Sequence, residues 1–200
     1  MQEQEKSSIS AATGKEQRIG TTPVENGAIQ RMPGKDGDVS SSIPPVIETY
    51  QDLIKNRVVG ETPDDEILCT PRWLIFNSPN AYKKPCYGDF TITNRDPFTV
   101  AWCIKTKEKL MRLSQAHGIL KPGEHADLTL YLISSDDWPR DFIEYTGRRL
   151  KLVVENLKIP DNIRPRSKLE SSRMSKDIFH YSASQSPLLR MYTKISVILE

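Results

Sequence analysis

Residues 89–132 read DFTITNRDPFTVAWCIKTKEKLMRLSQAHGILKPGEHADLTLYL, and three short runs within them alternate between apolar and polar side chains. Phe90 and Ile92 alternate with Thr91 and Thr93. Val100, Trp102 and Ile104 alternate with Ala101, Cys103 and Lys105, and Leu128, Leu130 and Leu132 alternate with Asp127, Thr129 and Tyr131. Successive side chains on a strand point to opposite faces, so each run offers one apolar face to a core. Asn94 to Asp96, and Gly118 with Lys121-Pro122-Gly123, are turn-forming and mark where these strands should stop. The segment between them, residues 107–117, has no clean period and reads as a loop with a strand-like portion near Met111–Leu113.

Outward from this stretch the pattern repeats. Residues 73–76 read as an early strand halted by Asn77-Ser78-Pro79. Beyond Leu132, the acidic segment SSDDWPRDFIEYTG carries Trp138-Pro139 and predicts a fixed loop, with Trp138 either its anchor or a contact residue. Leu150, Leu152 and Val154 share a face of the next strand. Met191, Thr193, Ile195, Val197 and Leu199 share a face of a closing one. Between those two strands, residues 167–174 predict a helical turn capped by Ser167. Many short strands with little helix describe an all-β sandwich of two sheets.

The totals bound the rest. An apolar fraction of 37% and 14 prolines in 200 residues predict that part of the chain is unpacked. Residues 1–45, rich in Gln, Glu, Ser, Gly and Lys, read as a disordered tail, with Ser40, Ser41 and Ser42 open to modification. In residues 46–65, Ile47, Tyr50, Leu53, Ile54 and Val58 fit one face of a short helix that docks on its own domain, and Gly60 closes it. The domain proper is residues 66–200.

Cys69, Cys86 and Cys103 are odd in number and lack metal-ligand spacing; Cys103, next to Trp102, is expected as a buried free thiol in a reducing compartment. No secretory signal and no apolar run of about 20 residues is present, which predicts a cytoplasmic protein. His117, His125 and His180 share no catalytic or metal spacing, and neither a nucleophile elbow nor a phosphate-cradling glycine loop occurs. An enzyme, a cofactor and a metal are therefore not expected. A net charge of +2, with aromatics not interleaved among the basic residues, argues against nucleic acid.

Several motifs in this order resemble the major sperm protein domain family, which includes nematode sperm cytoskeletal proteins and the VAP adaptors. Ile75-Phe76-Asn77-Ser78-Pro79 is similar to the family's opening strand, and Ile104-Lys105-Thr106 to its "K-T-T" segment. Gly118-Ile119-Leu120-Lys121-Pro122-Gly123 resembles "G-[IV]-L-[DK]-P-[GK]". Residues 149–155 and the C-terminal MYTKISVIL are similar to its last two strands.

The resemblance implies an immunoglobulin-like, seven-stranded β-sandwich without a disulfide, nearer the nematode proteins than the membrane-anchored adaptors. It implies a non-enzymatic module that self-associates or serves the cytoskeleton. The alternative is a soluble adaptor binding acidic FFAT-type peptides on a basic strand face. Lys105, Thr106 and Arg149 fall on the family's peptide-binding positions, with Lys107 and Lys151 beside them. Lys151 stands where the family's aromatic pocket has a methionine, Cys103 replaces a lysine, and Lys107 replaces the second threonine. The charge is kept and the apolar lining is lost. The family's coiled coil and membrane anchor are not expected.

Overall fold

A computed structural model describes residues 43–185 and 189–200; the expectations for residues 1–42, including Ser40 to Ser42, lie outside them. In chain order the elements are α1 (Tyr50–Asn56), β1 (Leu68–Thr70), β2 (Trp73–Phe76), β3 (Cys86–Thr93), β4 (Val100–Thr106), β5 (Met111–Leu113), β6 (His117–Leu120), β7 (His125–Leu132), β8 (Arg149–Lys158), α2 (Lys168–Gln185) and β9 (Met191–Leu199). Two 3-10 turns, Ser135–Asp137 and Phe142–Glu144, lie between β7 and β8. The strands form two sheets, ordered β1-β3-β7-β5 and β2-β9-β8-β4-β6. All pairings are antiparallel except β2 with β9. This is the expected immunoglobulin-like sandwich, with nine described strands rather than seven. The opening strand is divided between the two sheets at Pro71-Arg72, and the segment after β4 forms two short edge strands.

The core between the sheets is the one that alternation predicts. Phe90 and Ile92, Val100, Trp102 and Ile104, Leu128, Leu130 and Leu132, Leu150, Leu152 and Val154, and Ile195, Val197 and Leu199 are buried together. Trp102, 1% exposed, is its largest fully buried side chain, and a glycine gives it room. A Cβ at Gly118 would stand 2.7 Å from Trp102 Cζ2. Gly118 therefore sits inside β6 as a packing residue, not in the turn its residue type suggested. Trp138 is a loop anchor: its indole lies between the rings of Tyr82 and Tyr145, and Nε1 donates to the Ile133 carbonyl at 2.8 Å.

A second core lies on the outside of the five-stranded sheet. Ala101, Cys103 and Leu157 face away from the sandwich and pack against Met174, Ile178 and Phe179 of α2 and against Ile47, Leu53 and Val58. The helical turn expected at residues 167–174 is in fact an 18-residue helix. Its buried positions, 171, 174, 175, 178, 179 and 182, recur at the spacing of one helix face, but half of them are serines. These hydroxyls dock the helix. Ser171 accepts from the Ile119 N–H at 2.9 Å, Ser175 donates to the Trp102 carbonyl at 2.7 Å, and Ser182 accepts from the Gly60 N–H at 3.1 Å. Ser171 thereby satisfies an outward donor of edge strand β6, which would otherwise invite a foreign strand.

The short helix before the domain packs on it through Leu53, but Ile54 is exposed and the helix closes at Arg57 rather than at Gly60. It spans Tyr50–Asn56, capped by the Thr49 hydroxyl, while Ile47 instead bridges to Ile163.

Candidate functional site

At the end that α2 leaves uncovered, the outer face of the five-stranded sheet is basic. Because Leu150, Leu152 and Val154 of β8 point inward, Arg149, Lys151, Val153 and Glu155 must point outward. The same rule turns Tyr192, Lys194, Ser196 and Ile198 of β9 outward, with Lys105 of β4 and Trp73 and Ile75 of β2. Register aligns these residues in rows across the strands. Lys105 pairs with Val153 and Val153 with Lys194; Lys151 pairs with Ser196 and Ser196 with Trp73.

The structure brings all five residues expected at a partner site into one groove. Lys105, Thr106, Lys107, Arg149 and Lys151 line a cavity of about 640 Å³, joined by Lys194, Val153, Glu108 and Glu155. Five cations face two carboxylates. A second cavity of about 400 Å³ shares Arg149 and Lys194 with it and extends to Trp73, Arg72 and Tyr192. Lys109, Arg112 and Arg148, which are close in sequence, do not line either cavity. Arg112 lies on the other sheet and donates to the carbonyls of Lys109 and Met111.

Glu155 sets the electrostatics of one end. Its carboxylate accepts from Lys105 at 2.8 Å and from Arg190 at 3.0 Å, and it is 16% exposed against 52% for Lys105. Burial alone would raise the Glu155 carboxyl, but the hydrogen bond and charge of Lys105, with Arg190, outweigh it and hold it below its ordinary range. Cys103, beneath this pair, has its thiol pushed up to about 12 by burial and then by the Glu155 charge. It is an inert thiol, not a nucleophile. His117, half-buried on β6, is lowered by burial and by the Lys176 and Lys105 charges.

Lys194 and Trp73 escaped the sequence reading of the site. Alternation along β9 does put Lys194 opposite Thr193 and Ile195, which was the available signal. Trp73 could not be placed, because a four-residue strand with apolar side chains on both faces has no readable inside. It is 49% exposed, and Ile75 59%.

The described residues contain no cluster of three His, Cys, Asp or Glu side chains able to hold a metal ion. Nor is any described helix long and apolar enough to cross a membrane.

No protein-family model matches the chain, and no curated protein sequence does. Among solved structures, the chain is similar to WR4, a Caenorhabditis elegans MSP family member. The identity is 12% and the TM-score 0.41, over 68% of this chain and 96% of that one. It is also similar to the ASH/PapD-like domain 7 of human CEP192, with 8% identity and a TM-score of 0.42 over 68% and 84%. SSP-19, an MSP-domain protein like family member of C. elegans, matches with 13% identity and a TM-score of 0.40 over 65% and 97%. These are likenesses of overall strand arrangement; the sandwich itself rests on the pairing and burial described above.

Proposed function

We propose that this domain is a non-enzymatic protein-interaction module that docks an acidic segment of a protein partner across the outer face of its five-stranded sheet. The carrying observation is the convergence of Lys105, Lys107, Arg149, Lys151 and Lys194, from three strands and a loop, on one groove. Like charges gathered without matching carboxylates repel one another, and an acidic ligand relieves that repulsion while gaining on-rate from the same field. Val153 on the floor and Trp73 and Tyr192 at the far end supply apolar surface for side chains between the acids. The three unpaired cysteines support action in a reducing compartment such as the cytoplasm.

The test is titration of a glutamate-rich peptide carrying two phenylalanines against the full chain and its Lys105→Asp variant. Reversing one central charge should weaken binding by about tenfold or more. Absence of binding to the wild type, or equal binding by both, would sink the assignment.

A second reading has its own observation. The outer face of the four-stranded sheet exposes Tyr87 (73%) and Tyr131 (43%) as a cross-strand pair, with Asp89 and Asp127 further along. This aromatic face, on which the two carboxylates outnumber the single cation Arg112 beside Tyr131, can meet the basic one, so a second copy of the chain can serve as the partner, in the manner of a self-associating structural or cytoskeletal protein. Such a head-to-tail contact is heterologous and builds rings or open chains rather than two-fold dimers. Sedimentation over a concentration range should show growing species that Tyr87→Lys abolishes; a concentration-independent monomer excludes it.

A further inference from the structure

Arg149 is held in a way that its neighbours are not. Its Nε donates to Ser196 Oγ at 2.7 Å, and its guanidinium carbon sits 4.4 Å from the centre of the Trp73 ring. The hydrogen bond fixes the direction of the planar group, and the indole fixes its tilt. Both terminal nitrogens are left without a partner among the described residues. Arg140, Arg166 and Arg190, in contrast, each spend a terminal nitrogen on a carboxylate.

The cavity of about 400 Å³ beside Arg149 is also lined by Arg72 and Lys194, with Glu66 as the one carboxylate-bearing neighbour. None of these three cations has a carboxylate oxygen within 4.0 Å among the described residues. Three positive groups against one negative leave a surplus of two.

From this geometry we infer that the Trp73–Arg149 corner is an oxyanion receptor for a phosphate monoester dianion, held bidentately by Arg149 and flanked by Arg72 and Lys194. An arginine whose fork is preorganised loses little freedom on pairing, and its two parallel donors match two phosphate oxygens. A surplus of two charges suits a dianion better than a single carboxylate. The inference rests on the acidic-segment reading for the origin of its ligand. The corner adjoins the groove through Arg149 and Lys194, so a phosphoserine or phosphothreonine beside the acidic tract reaches it. A free phosphate compound carries the same group.

Nuclear magnetic resonance on the full chain separates these cases. The Arg149 Nε–H and Trp73 indole N–H signals are followed while inorganic phosphate, or acetate at matched ionic strength, is added near neutral pH. Phosphate should give saturable shifts at both signals, with acetate about tenfold weaker. The response to inorganic phosphate should weaken below about pH 7, where that dianion takes up a proton, whereas a phosphate monoester should hold its response down to about pH 6. Arg149→Lys keeps the charge and the exposed position but removes the fork, and should lose the response. Lys194→Gln should weaken it.

In the peptide arm, the phosphoserine form of the glutamate-rich peptide should bind about tenfold tighter than its serine form to the wild type, and no tighter to Arg149→Lys. A saturable phosphate response without that peptide gain assigns the receptor to a free phosphate compound. Non-saturating shifts, shifts equal to those from acetate, or an Arg149→Lys variant that responds as the wild type does overturn the receptor. Lys105-dependent binding of the unphosphorylated peptide alongside such a result leaves the docking face standing, whereas a phosphate response without any peptide binding removes the docking face alone.

Discussion

Replacing Gly118 by alanine tests the account of the core most directly, because it adds one methyl group at a known place. The new Cβ would meet Trp102 Cζ2 at 2.7 Å and Cε2 and Nε1 at 2.8 Å. Comfortable carbon contacts begin near about 3.5 Å, so something must move by roughly 0.8 Å. Trp102 is enclosed between the sheets and cannot turn away, and β6 is tied to β4 on one side and to Ser171 on the other. Overpacking of this kind costs about 1–3 kcal/mol. Against it stands the gain of about 0.5–1 kcal/mol from replacing glycine within a strand, available because Gly118 is not among the positive-φ residues.

The expected net loss is about 1–2 kcal/mol, or about 2–8 °C in Tm for a domain of this size. Urea unfolding followed by circular dichroism should show a lower midpoint with an unchanged slope. The decisive measurement is the double variant with Trp102→Phe. Phenylalanine lacks the part of the indole that the methyl strikes, so the two changes should couple favourably by about 1 kcal/mol. Additive losses, or a Gly118→Ala protein as stable as the wild type, would refute the contact as the reason for the glycine.

Three further outcomes follow from particular contacts. Ile178→Ala, in the second core, should cost about 2–5 kcal/mol in the same urea assay; a negligible cost would mean that α2 is not part of the cooperative unit. Glu155→Gln releases Lys105 from its internal partner, so the acidic peptide should bind about two- to fivefold tighter, the worth of a partly exposed ion pair; unchanged or weaker binding contradicts the proposed role of Lys105. As pH falls from about 7.5, His117, lowered in the folded state, stays neutral after the unfolded chain has taken up its proton near about 6.5. Stability should therefore decline from that point, and it should decline again below about 4.5, where Glu155, also lowered, binds protons first in the unfolded chain. His117→Asn should flatten the upper decline; an identical pH profile would remove His117 from the account.

Much of the sandwich was legible because its signal is local. A strand facing one core must alternate, and Val100-Trp102-Ile104 or Leu150-Leu152-Val154 show their inner face without reference to any neighbour. Helix α2 was legible only in its first turn. A docking face is normally read from apolar periodicity, and here Ser171, Ser175 and Ser182 occupy half of that face and bond to backbone, the first two on the sheet and the third at Gly60, instead of burying hydrocarbon. Gly118 was misassigned for a related reason. A glycine that relieves a turn and a glycine that makes room for an indole are the same letter, and only the contact with Trp102 tells them apart.

The candidate site divides along the same line. Residue type and resemblance pointed to Lys105, Thr106, Lys107, Arg149 and Lys151, and the folded chain places them together. Lys194, 43 or more residues beyond every one of them in the chain, enters only through the pairing of β8 with β9. Trp73 enters only through the parallel pairing of β2 with β9. The sequence by itself determined which faces of the alternating strands turn inward, since that depends on a period of two within each segment. Which outer faces are covered, which cations meet, and which of them keep a free hydrogen-bonding edge were decided by the tertiary structure, because register between distant strands is set by contacts that no single segment contains.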